Sequence, residues 1–117
     1  MKYVLLIYGN EGAAQAASPA DSQAMHKEYG AFTESIAKSG HYKGGEALHP
    51  TSMATTVRVR NGKTQTTDGP FAETREQLGG FYLVEAKDLD EATGIAARIP
   101  GAKSGAIEVR PVMVIQM

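Results

Sequence analysis

Hydrophobic positions along this chain switch between an extended and a helical period, and the switches mark out strands and helices. Lys2-Tyr3-Val4-Leu5-Leu6-Ile7-Tyr8 is apolar on both faces of an extended segment, which places it centrally in a sheet. A loop rich in Gly and Ala follows from Gly9 to Ala17. Ser18-Pro19-Ala20-Asp21 then reads as a helix start, with Ser18 as cap, Pro19 in the first helical position and Asp21 completing a box-like arrangement. Met25, Tyr29, Phe32 and Ile36 recur at helical spacing and form the stripe that packs on the sheet, and Ser39-Gly40 ends the helix.

Gly44-Gly45-Glu46-Ala47-Leu48 is a short strand limited by Pro50. Thr55 to Arg60 alternates with period two and runs into Asn61-Gly62, a strong two-residue hairpin signal. Pairing across that turn sets Val59 against Thr64 and Val57 against Thr66, with Arg58 opposite Gln65 on the other face of a half-exposed hairpin. Gly80 to Ala86 is a second core strand. Asp88 and Glu91 repeat the capping logic, and Leu89, Ala92, Ile95, Ala96 and Ile99 give the second helix its apolar face before Pro100-Gly101 stops it. The last strand spans Ala106 to Val114, with Pro111 marking an edge or a bulge.

This order predicts an α+β fold in one domain, residues 1–117: a ferredoxin-like split βαβ antiparallel sheet with an inserted hairpin and both helices on one face. Val4, Leu6, Phe81, Leu83 and Val109 supply more apolar sheet surface than two helices can cover. A homodimer, sheet against sheet, burying roughly 600 Å² per subunit, would remove that patch.

Composition narrows the function classes. Hydrophobic content of 42% and charged content of 21% fit a globular protein, and a net charge of −1 argues against a nucleic-acid footprint. Arg58, Arg60 and Lys63 cluster on the hairpin and read as a solvated strand face. The absence of cysteine excludes disulfides, thiolate zinc sites and cysteine nucleophiles. The opening apolar run is far short of the ~18 residues a membrane span needs, so a cytoplasmic protein without a membrane partner is expected. His41 and His49 have no metal-ligand spacing, and neither a metal nor a cofactor is expected.

Candidate chemistry gathers around Asp68-Gly69-Pro70. Asp68 stands at a strand end, where its carboxylate either faces a cleft or accepts backbone hydrogen bonds in an Asx-turn. His26 falls beside the apolar stripe of the first helix, facing a cleft or water. Glu46 either lines the same cavity or pairs with Arg110 across the sheet, and the planar fork of Arg110 suits an anionic ligand. Phe71 is either a small satellite-core anchor or a stacking surface for substrate. The glycine pairs are not followed by a phosphate-loop Lys, and no Gly-x-Ser-x-Gly elbow appears.

Gly44-Gly45-Glu46-Ala47-Leu48, Asp68-Gly69-Pro70-Phe71-Ala72-Glu73-Thr74, Gly79-Gly80-Phe81-Tyr82 and Glu108-Val109-Arg110-Pro111 together resemble the DGPF branch of the YCII-related proteins. The resemblance covers nearly the whole chain. It implies a dimeric α/β barrel, and a His–Asp catalytic pair that falls on His26 and Asp68. One offshoot of the wider group is associated with dehalogenation of chlorinated lactones, and members of this branch are often encoded near extracytoplasmic-function sigma factors. The expected function is a small homodimer binding a small polar or carboxylate-bearing molecule. In it Asp68 and His26 perform cofactor-free acid–base chemistry on a lactone-like substrate, and Glu46, Phe71 and Arg110 hold the ligand. The alternative is a non-catalytic ligand-binding or interaction module beside a sigma-factor system.

Overall fold

Side-chain caps set the helices, and a single apolar stripe on each of the two longer ones decides which face of the sheet they cover. The computed structural model describes residues 1–116. In chain order these form β1 (Lys2–Gly9), α1 (Glu11–Gln15), α2 (Pro19–Lys38), β2 (Tyr42–Ala47), β3 (Thr55–Arg60), β4 (Lys63–Asp68), β5 (Gln77–Glu85), α3 (Leu89–Ala97) and β6 (Ala106–Pro111). Ser18 Oγ accepts from the Asp21 amide at 3.1 Å and Asp88 Oδ1 from the Glu91 amide at 2.9 Å, so both helix starts follow the expected logic.

Four strands make one antiparallel sheet in the order β2-β5-β1-β6, which gives the apolar first strand the central place expected of it. Tyr3 and Leu5 of β1 and Tyr82 and Val84 of β5 meet Phe32 and Ile36 of α2 and Ala92, Ile95 and Ala96 of α3 in the core, with Ile99 beyond the helix end. Leu5, Ile36, Val84 and Ile99 are wholly enclosed, each contributing about 1.5–3 kcal/mol of burial. The Phe32 and Tyr82 rings meet edge to face with centroids 5.1 Å apart, and Thr33 Oγ lies 2.7 Å from the Tyr82 hydroxyl. Burial pushes the Tyr29 hydroxyl pKa up, and that oxygen accepts from the Gly101 amide.

Several boundaries differ from the sequence reading. The segment after β1 holds a five-residue helix because Asn10 Oδ1 caps the Ala13 amide. β5 begins at Gln77, before the glycine pair, and β6 stops at Pro111, whose ring cannot donate to a ladder. Val109 pairs with Leu5 and so packs on the helix-covered side, not on the open face. The hairpin forms a separate two-stranded sheet.

The β2–β5 ladder leaves no room for a side chain at two of its glycines, Gly45 and Gly80. A Cβ on Gly45 would stand 2.8 Å from the Phe81 carbonyl oxygen, and one on Gly80 2.8 Å from that of Glu46. Gly80→Ala is therefore expected to destabilise the fold by about 1–3 kcal/mol, read from the urea midpoint. An unchanged midpoint would show that the ladder can widen freely.

Candidate functional site

Strand alternation turns Val4, Leu6, Phe81 and Leu83 to the face opposite the helices, where they are half-buried by one another. No helix or further strand packs over this face among the described residues. Glu46 pairs with Phe81 and Arg110 with Val4, so both charged side chains project onto this open face, one from each edge strand. Three strand spacings of ~4.8 Å put those edges about 14 Å apart, too far for direct contact. No Glu46–Arg110 ion pair forms within the chain, which corrects that expectation. What remains is an apolar floor rimmed by charged groups of both signs, Lys2 and Glu85 joining Glu46 and Arg110 on this face.

β3 and β4 form an arm that stands off the body. The turn carries Asn61 at φ 53° and Gly62 at φ 74°, the left-handed pair that a tight hairpin needs, and the strand register matches the pairing expected from sequence. All its strand residues except Thr56 are exposed, Val57 and Val59 at 59% each, so the arm is more exposed than a half-covered hairpin. At its root, the Gly69 amide donates to the Ala54 carbonyl at 2.7 Å and Thr56 Oγ to the Gly69 carbonyl at 2.8 Å. These bonds hold the bend without Asp68, whose carboxylate is exposed and accepts no hydrogen bond among the described residues, so the Asx-turn does not form. Phe71 is 80% exposed and anchors no satellite core, because the arm offers no second layer for it to enter. The Glu11 carboxylate receives both the Thr51 amide and the Thr51 hydroxyl, and the Glu11 amide donates to Gln77 Oε1, tying the α1 segment to both roots of the arm.

His26 is exposed on α2, which starts from the end of the sheet where β1 finishes and β5 begins. The arm leaves from the same end. No hydrogen bond or ion pair joins His26 to Asp68 among the described residues. No group of His, Asp and Glu close enough to hold a metal ion occurs among the described residues.

The structure assembles a cluster that sequence reasoning missed. Ser39 Oγ lies 2.7 Å from His41 Nδ1, and His41 Nε2 lies 3.2 Å from Glu91 Oε1, which also accepts the Lys87 amide at 3.0 Å. The Ser39 hydroxyl also reaches the Ile36 carbonyl at 3.2 Å. The cluster is a clasp between the end of α2 and the start of α3. The Lys87 amide, followed by His41, holds the Glu91 carboxyl below its usual value against some desolvation. Ser39, Gly40 and His41 are adjacent in sequence, but Glu91 stands fifty positions on and is legible there only as part of the α3 cap.

A family model described as the YCII-related domain matches residues 1–116. An uncharacterised protein of Rhizobium meliloti (strain 1021) is 37% identical over 113 residues, covering 95% of this chain and 91% of that protein. No helix among the described residues is long and apolar enough to cross a membrane.

The clasp has a pH signature. Because Glu91 is lowered from 4.5 in the folded state, its contribution is complete above that value and is lost as pH falls through the lower folded one. Melting temperatures of the native protein and Glu91→Gln are expected to differ near neutral pH and converge on acidification. A constant gap would mean that the carboxylate's charge plays no part.

Proposed function

The chain belongs to the YCII-related family, and we propose that it is a homodimer of the DGPF branch holding a small carboxylate-bearing molecule against the open face of its sheet. The observation that carries this is the apolar floor of Val4, Leu6, Phe81 and Leu83 beside Arg110, a cation with no acidic partner among the described residues. A guanidinium left unpaired at the rim of an apolar surface is suited to grip a carboxylate with two parallel hydrogen bonds. The strand order is consistent with a ferredoxin-like split βαβ unit. Two such sheets packed face to face would make a dimeric α/β barrel with the ligand in its hollow.

Within that hollow Glu46 accepts from a ligand hydroxyl, and Phe71 covers the ligand. Asp68, whose carboxylate accepts no hydrogen bond among the described residues, is the group available for proton transfer. In the catalytic version His26 is its companion: a carboxylate beside imidazole orients the ring, giving a general base for opening a lactone-like substrate without a cofactor.

Calorimetric titration with a panel of small carboxylates and lactones tests this. At least one compound should bind, and Arg110→Ala should weaken it tenfold or more, in line with about 1.5–3 kcal/mol for a charged hydrogen bond. Equal affinity in Arg110→Ala would remove the open face as the site. If Asp68→Asn folds and binds but no longer turns the compound over, the protein is an enzyme. A compound that binds and is never turned over, with Asp68→Asn indistinguishable from native, makes it a binding module.

A further inference from the structure

We infer that the β3–β4 arm is a clasp for a second copy of this chain, so that Asp68 and Phe71 at its root line a hollow built from both copies. This rests on the homodimer proposed above and adds where the arm goes. An isolated two-stranded hairpin is marginal in water, yet here one stands clear of its own body. Strand alternation sorts its side chains: Val57, Val59, Thr64 and Thr66 share one face, while Arg58, Arg60, Lys63 and Gln65 share the other. The first face is apolar in part, and none of the described residues of its own chain covers it.

The size of the exposed surface says how large the missing cover is. A compact monomer of this mass exposes about 6,100 Å², whereas this chain exposes 8485 Å². The excess of roughly 2,400 Å² is comparable to one partner's share of a large permanent interface, where totals run to about 2,000–5,000 Å². The radius of gyration says the same, 16.3 Å against about 13 Å for a compact chain of this length. Charge selects a second copy as the occupant. Residues 55–68 carry three of the twelve cationic residues and one of the thirteen acidic ones, a net +2, which leaves −3 for the rest of the chain. Each copy thus presents a basic arm and an acidic body, so two copies related by a two-fold axis attract one another at long range, while the arm's cations, on the face away from the valines, keep their water.

The arm has no role in its own chain's core, so Val57→Asp/Val59→Asp should fold with an unchanged far-UV spectrum. Sedimentation equilibrium should then show its dimer dissociation constant raised at least tenfold. A second measurement asks where the arm lands. The chain has no cysteine, so Gln65→Cys, on the face away from the docking valines, takes a single nitroxide. Mixed with unlabelled ¹⁵N chain, it should broaden amide signals of the ¹⁵N partner along β1 or β5. A native dimer whose affinity ignores the valine substitutions, or in which the nitroxide broadens no partner signal, overturns the clasp while leaving the homodimer intact. A native protein that sediments as a monomer overturns both.

Discussion

One-sided burial is the constraint on which everything else in this structure depends. α2 and α3 cover a single face of a four-stranded sheet, and the enclosed residues Leu5, Ile36, Val84 and Ile99 all lie on that side. Alternation along β1 and β5 then forces Val4, Leu6, Phe81 and Leu83 to the opposite face. The same parity that builds the core therefore builds an apolar surface outside it, and no local rearrangement can remove it without emptying the core.

The second tier of structure is polar and works at the ends of the sheet. Ser39, His41 and Glu91 link α2 to α3 at one end. At the other, Glu11, Thr51 and Gln77 fasten the α1 segment to the roots of the arm. The bonds to the Glu11 and Glu91 carboxylates are charge-assisted and add direction as well as energy. Their effect is to hold the arm's point of departure while leaving its length free, which suits a segment that finds its packing on another molecule.

How much was legible in the sequence follows from distance along the chain. Ser18 and Asp88 were readable as caps because each acts on an amide three residues away. The arm's register was readable because Asn61-Gly62 dictates it locally, yet nothing local says whether the arm lies on the body or off it. Val109 was assigned to the wrong face because its parity is set by Leu5, more than a hundred residues distant. Asp68 was readable as a strand-end carboxylate, but its lack of backbone bonds depended on Thr56 and Ala54 holding the turn in its place. The Glu46–Arg110 pairing failed for a similar reason: sequence gave the charges, and only strand order shows that they occupy opposite edges.

The central claim is that an apolar face produced by the core's own parity is covered by an identical face. Small-angle scattering at micromolar concentration tests it most directly, since forward scattering reports mass. The predicted result is a particle of about twice 12.4 kDa with both open faces inside it. A particle of single-chain mass, with a radius of gyration near the 16.3 Å of the isolated chain, would contradict it.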